Sequence, residues 1–280
     1  MKKTVRKIQK IKDEGRKITA LTAYDYPTAK FLDNAGIDLI LVGDSAANVV
    51  LGYESTVKIT LDEMLMITGA VSRGAKDALI VGDMPFLTYN ISYEKAIENA
   101  GKFIVAGADA VKIEGGGEYI TGLTKRLTGA GIPVMSHLGF TPQYVNTIGG
   151  NLIQGKNFET AIKILEAAKK LEEAGAFAIV LEMVPKEAAE FITKNLNMPT
   201  IGIGAGNTCD GQILVVNDLI GKFDDFKPKF ARKYFDSKNL ILEAAKQYIA
   251  DVQSGDFPNA EESFSVSDEE KTKFENYKQR

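Results

Sequence analysis

A chain of 280 residues that is 45% hydrophobic and 25% charged has room for one large domain or two ordinary ones, with a sizeable core. Its 34 basic side chains against 37 acidic ones leave a net charge of -3, which argues against nucleic-acid binding, where a basic face is needed. One cysteine excludes a disulfide framework and a cysteine-rich zinc site and points to a reducing compartment, so the expectation is a soluble, cytoplasmic protein.

In chain order, the amino terminus MKKTVRKIQKIKDEGRK is basic but lacks the apolar stretch of a signal peptide. Val5, Ile8 and Ile11 recur every third residue and predict an amphipathic helix whose lysines form a solvated outer face. Short apolar runs follow at ITALTA (18–23), DLILVG (38–43), ALIVGD (78–83), DAVKIE (109–114), IPVMSH (132–137), FAIVLE (177–182), PTIGIG (199–204) and QILVV (212–216). All are strand-sized, far short of the roughly 20 residues of a membrane span. Helical patterns fill the gaps at 26–35, 61–73, 93–106, 119–130, 159–174 and 186–196. Gly36, Gly74, Gly107, Gly131 and Gly175 stand where left-handed helix caps are expected. A further helix is predicted over 241–252, then loop over 254–264 and a charged tail with four acids and four bases over 266–280.

Near-continuous apolar strands alternating with helices imply a parallel sheet buried on both faces. Eight such strands predict a (β/α)8 barrel in one domain over residues 1–264, with the tail over 265–280. A doubly wound open sheet has the same alternation, but no GxGxxG or GxxxxGK[ST] follows any strand.

Asp25, Asp44, Asp83, Glu114, His137 and Glu182 each end or directly follow a predicted strand. In a barrel those ends meet at one rim. So many acids around one opening need a cation among them, and a divalent metal and Lys112 are the candidates. Lys112 and Glu114 are two apart and share a strand face, with a buried pair lacking chemistry as the bland alternative. Asp44, Asp83 and Glu114 are the best metal set, oxygen donors for a hard ion such as magnesium. Asp25 reads as a helix N-cap rather than a fourth ligand.

His137, the one histidine, could contact a substrate oxygen or a carboxylate, or be a buried structural residue. Glu182 has few polar neighbours in sequence, and apolar surroundings would suit it as a general base. Cys209 reads as inert. The run Gly202 to Asn207 could hold a phosphate through backbone N–H groups or let the chain pass close to a neighbouring wall.

LTAYDYPTAK (21–30), LVGDS (41–45), GYEST (52–56), GDMPF (82–86), VKIEGG (111–116), HLGFTPQ (137–143), LEMVP (181–185), IGIGAG (201–206), DGQILV (210–215) and PKFAR (228–232), in this order, resemble the ketopantoate hydroxymethyltransferase family over roughly residues 4–264. The resemblance implies a TIM barrel of the phosphoenolpyruvate mutase/isocitrate lyase type. It also implies one Mg2+ per subunit, with manganese or cobalt left open, and transfer of a one-carbon unit from the co-substrate 5,10-methylenetetrahydrofolate to 3-methyl-2-oxobutanoate. Carried over motif by motif, Asp44, Asp83 and Glu114 fall on metal-site positions. Ser45, Asp83 and Lys112 fall on keto-acid contacts, and Glu182 on the proton acceptor. A homo-oligomer, often a decamer, is implied as well. Ala46-Ala47 and Ser136 depart from residues common in the family. A lyase or mutase of the same superfamily is the alternative, although the lyases' Lys-Lys-Cys-Gly-His loop is missing, and a catalytically silent barrel is the rival from another class.

Overall fold

The computed structural model describes residues 2–226 and 228–277, so residues 278–280 of the charged tail lie outside the described residues. It opens with α1 (Val5–Asp13), β1 (Ile18–Thr22), α2 (Tyr26–Asn34), β2 (Leu39–Val42), α3 (Ala46–Val49), α4 (Leu61–Gly74) and β3 (Leu79–Asp83). Next come α5 (Tyr93–Val105), β4 (Ala110–Glu114), α6 (Glu118–Gly129), β5 (Val134–Gly139), α7 (Val145–Ile148), α8 (Phe158–Glu173) and β6 (Ala178–Glu182). The chain ends with α9 (Lys186–Lys194), β7 (Thr200–Ile203), β8 (Gly211–Leu214), α10 (Val216–Leu219), α11 (Ser237–Ser254) and α12 (Asp268–Glu275).

The eight strands pair in parallel, each with its sequence neighbour, and β8 returns to β1 to close a barrel. Two apolar clusters follow from the two faces of the strands. Ile18, Ala20, Leu39, Leu41, Leu79, Val81, Ala110, Met135, Ala178, Val180, Ile201 and Ile213 fill the barrel interior. The alternate residues, among them Ile40, Val42, Ile80, Val111, Ile113, Val134 and Ile179, pack outward against the helices.

Helix α1 closes the amino-terminal end of the barrel. Ile8 and Ile11 are fully buried and join the interior cluster. The nearby lysines are not simply solvated, as the sequence had suggested. Lys2 Nζ donates to Ala78 O (2.8 Å), Lys3 Nζ to Ile37 O (2.8 Å), and Lys12 Nζ to Leu196 O (2.9 Å) and Met198 O (3.0 Å). These carbonyls lie just before strands β2, β3 and β7, and the ammonium groups give them hydrogen-bond donors.

Four of the five glycines expected as left-handed caps have positive φ, but Gly74 does not. It ends α4 beside α2, where an added Cβ would collide with the Tyr26 carbonyl, so close helix approach explains it. The predicted 212–216 strand stops at Leu214, and Val216 starts a helical turn. Inside the charged tail, α12 forms behind an N-cap, Ser267, that accepts from Glu270 N.

Candidate active site at the carboxyl end of the barrel

Beyond the interior apolar layers the inward series continues into charge. Val81 leads to Asp83, Ala110 to Lys112 and Glu114, Met135 to His137, and Val180 to Glu182, each by steps of two. The parallel register sets Asp83 beside Lys112 and Glu114 beside His137. Lys112 Nζ donates to Asp83 Oδ1 (2.8 Å) and Oδ2 (2.9 Å), and reaches Glu114 Oε1 at 3.5 Å. His137 lies between two acids, Nδ1 at 3.3 Å from Glu114 Oε1 and Nε2 at 3.4 Å from Glu182 Oε2. Among the described residues neither nitrogen makes a well-aligned hydrogen bond, so charge more than directional bonding holds the ring.

Asp44 arrives by another route. Strand β2 ends at Val42, and in the turn that follows the Asp44 backbone N–H donates to Asp83 Oδ2 (3.0 Å). Ser45 Oγ lies 2.8 Å from the Tyr24 hydroxyl. Asp44, Ser45, Asp83, Lys112, Glu114, His137 and Glu182 all line one cavity of about 780 Å³, with Phe140, Val184 and Phe230 among its apolar walls.

The electrostatics follow from burial and these neighbours. Burial, with the charges of Asp83 and Glu114, pushes the Asp44 carboxyl well above the usual range. Burial, joined by the charge of Glu114, also raises Asp83 against the pull of Lys112. Burial opposes ionisation of Glu114 too, but Lys112 and His137 outweigh it and hold that carboxyl low. Burial disfavours charge on Lys112, yet Asp83, Glu114 and Asp44 prevail and raise its pKa. Burial likewise works against the His137 imidazolium, while contacts with Glu114 and Glu182 lift its pKa to about 9. Four acids thus surround two cationic side chains, a deficit of two positive charges when all are ionised. Among the described residues, no three acid, histidine or cysteine side chains converge closely enough to ligate one metal ion, because the acids are turned to Lys112 and to neighbouring donors.

Glu182 is not in the apolar setting that its sequence neighbours suggested, since His137 faces it. The residue after it, Met183, has a φ of 49°, an uncommon value for a side chain of that size. Its backbone is held on both sides, N–H to Ile203 O (2.9 Å) and carbonyl from Gln154 N (3.1 Å), which fixes the turn that presents Glu182.

Asp25 accepts from Thr28 N (2.7 Å) as the N-cap of α2, its expected role. An added Cβ would lie 2.7 Å from Phe230 at Gly204 and 2.5 Å from Lys186 at Gly206, so close packing explains that glycine run. Cys209 is buried, which pushes its thiol pKa up and suppresses reactivity. Ala46 and Ala47 are fully buried in α3, and Ser136 is buried with its hydroxyl unpartnered among the described residues.

Strand parity could not find Gln143, in a 3-10 turn after β5, or Tyr89, in a loop after β3. Gln143 is nonetheless bonded to both Asp44 and Glu114. Its only signal was its place at the end of HLGFTPQ.

The chain matches the family described as ketopantoate hydroxymethyltransferase over residues 2–260. It belongs to that family. Among ketopantoate hydroxymethyltransferase relatives, a 3-methyl-2-oxobutanoate hydroxymethyltransferase of Clostridium botulinum is 53% identical, covering 96% of this chain and 98% of its own. The enzyme of that name from Dehalococcoides mccartyi is 51% identical, covering 95% of each chain. Among solved structures, phosphonopyruvate hydrolase in complex with oxalate and Mg++ superposes with a TM-score of 0.62 at 14% identity, covering 97% of each chain. 2,3-Dimethylmalate lyase, a PEP mutase/isocitrate lyase superfamily member, gives 0.58 at 13% identity, covering 99% of this chain and 95% of its own. At that identity the likeness concerns the fold alone, a closed (β/α)8 barrel.

Proposed function

We propose that this chain transfers a hydroxymethyl group from 5,10-methylenetetrahydrofolate to 3-methyl-2-oxobutanoate, giving 2-dehydropantoate and tetrahydrofolate. The observation that carries the reading is the gathering of Asp44, Asp83, Lys112, Glu114 and Glu182 around one cavity in a chain of this family.

Asp44, Asp83 and Glu114 would hold one Mg2+ per subunit only after their side chains turn away from Lys112 and the neighbouring donors, since as they stand no three such groups converge among the described residues. Their hard oxygen donors, and the deficit of two positive charges that ionisation of all four acids would leave, fit a divalent ion. Bound there, the ion would supply Lewis-acid polarisation of the 2-keto acid. Lys112, buried and charged, favours negative charge growing on the enolate oxygen, and it is in place before the reaction starts. Glu182 takes the C3 proton as general base. His137, protonated and 3.4 Å from Glu182 Oε2, orients that carboxylate and can donate to a substrate oxygen. Ser45, steadied by Tyr24, contacts the keto acid. One water is consumed: it opens the donor's N–CH2–N bridge, so both carbon–nitrogen bonds break, the two folate nitrogens take the water's two protons, and its oxygen stays on the one-carbon unit at the formaldehyde level. A bond then forms from C3 to that carbon, and its oxygen takes up the proton that Glu182 removed from C3, giving the hydroxymethyl group.

The same reading makes the protein a cytoplasmic homo-oligomer, and a decamer is the assembly the family suggests. Its supports are one buried cysteine and the exposed apolar side chains of α11. Among the described residues no helix is long and apolar enough to cross a membrane.

Incubation of purified protein with Mg2+, the keto acid and 5,10-methylenetetrahydrofolate should yield 2-dehydropantoate and tetrahydrofolate in equal amounts. No product, or turnover of a phosphoenolpyruvate-like acid in its place, would overturn the reading in favour of a silent barrel or a lyase.

A further inference from the structure

Gln143 stands behind the cavity wall. It sits in a single 3-10 turn, Pro142–Tyr144, just after β5, and is only 4% exposed. Among the described residues lining the cavity are Pro142, Asp44 and Glu114, but neither Gln143 nor Tyr89. A role for Gln143 in the chemistry is therefore exerted through other side chains.

Four hydrogen bonds converge on this one residue. Its backbone N–H donates to Glu114 Oε2 (3.0 Å). Its Nε2 donates to Asp44 Oδ2 (3.0 Å) and to Met84 O (3.0 Å). Its Oε1 accepts from the fully buried Tyr89 hydroxyl (2.7 Å), which itself accepts from Glu114 N (3.3 Å).

This arrangement allows one orientation of the amide. Turned over, Oε1 would face the Met84 carbonyl, an acceptor with no proton for it, and would lose the proton that the Tyr89 hydroxyl donates. The O–H of Tyr89, already accepting from a backbone N–H, has its proton free to mark the carbonyl end. Both amide hydrogens, the carbonyl and the backbone N–H are all used, as a buried polar group requires. One oxygen of Asp44 and one of Glu114 are thereby tied back to the same residue. Glu114 Oε1 is left for Lys112 and His137.

We propose that Gln143, oriented by Tyr89, is the positioning residue that decides which oxygen of Asp44 and which of Glu114 faces the substrate cavity. The proposal rests on the reading of those acids as the reaction site, and it adds residues whose own atoms do not meet the substrate.

The test uses Gln143→Met, which keeps length and loses the side-chain bonds, Tyr89→Phe, which removes only the orienting hydroxyl, and their double variant. C3 deuterium exchange of 3-methyl-2-oxobutanoate with Mg2+, without folate, gives kcat and KM for each. Misplacing catalytic groups by about an ångström costs roughly 10²-fold. Gln143→Met should therefore lose about that much in kcat with KM little changed, and Tyr89→Phe a smaller part. The double variant should be no worse than Gln143→Met alone, because one acts through the other. Unchanged kcat in the folded single variants, or fully additive losses, would overturn the proposal. Crystal structures of the variants keep it testable whether or not the parent shows exchange. Asp44, which loses its side-chain donor, should take a new rotamer in Gln143→Met, while Glu114 keeps the backbone N–H of residue 143; an unchanged Asp44 rotamer would contradict the proposal. If Gln143→Met does not fold, kcat and the rotamers in Tyr89→Phe decide alone.

Discussion

A buried charge persists only with a partner, and the molecule keeps two kinds of buried acid that illustrate this at the scale of single residues. Glu114 is fully buried and ionised because Lys112 and His137 flank it. Asp38, at the opposite end of the barrel, is 1% exposed and accepts from Arg16 (2.8 and 3.0 Å) and from Thr19 N (3.0 Å) and Oγ1 (2.9 Å). Burial works to raise the Asp38 pKa, but these donors prevail and hold it below its ordinary value. Because the folded pKa is the lower one, the stabilisation is complete above the unfolded value near 4 and disappears as pH falls through the folded value. Asp38→Asn should therefore lower stability by about 1–3 kcal/mol at neutral pH and much less in strong acid, as read by urea midpoints across the acid range. Arg16 leads the donors that lower the Asp38 pKa, but its side chain is half exposed, so solvent screening reduces its part of that figure. The residue scale also shows where sequence reading succeeds. Lys112 and Glu114 were legible as a pair because a strand repeats every two residues and hides nothing in between. Gln143 and Tyr89 were not, because a loop has no period and a Gln at its end carries no mark of the two acids it will reach.

Elements were legible to the degree that they are regular. The strands that carry the site, β3, β4 and β6, end on Asp83, Glu114 and Glu182 as the apolar runs predicted. Strand β5 runs two residues past His137 to Gly139, because backbone pairing with β6 continues to Gly139 and Glu182 whatever the side chains are. Helix α1 was legible as amphipathic, but its target was not. Periodicity says that Val5, Ile8 and Ile11 need cover, not that the cover is the barrel's own interior. Ile11→Ala should cost about 2–5 kcal/mol, as for other fully buried large aliphatic side chains, and should lower the denaturation midpoint accordingly. A loss below half a kcal/mol would mean that α1 does not plug the barrel in solution.

For the whole molecule, the barrel has one plugged end and one open, charged end, and this polarity follows from which strand positions carry apolar and which carry ionisable residues. Helix α11 has no buried residue among its 18, although Ile241, Tyr248 and Val252 form one apolar stripe, each about half exposed. In a homo-oligomer that stripe would be covered by another subunit, so Ile241→Lys combined with Tyr248→Lys should shift the mass seen by light scattering toward smaller species, and an unchanged mass would place the interface elsewhere. Assembly was beyond the reach of sequence periodicity, because an apolar stripe does not say which surface will cover it. On the proposed function, the strand-end acids act as one enolising site with Glu182 as its base. The most direct test compares C3 deuterium exchange of 3-methyl-2-oxobutanoate, with Mg2+ and without folate, in the parent and in Glu182→Gln. Exchange is expected in the parent, with a loss of about 10²–10⁴-fold in the variant and keto-acid binding retained. Exchange at the parental rate in Glu182→Gln would contradict that reading.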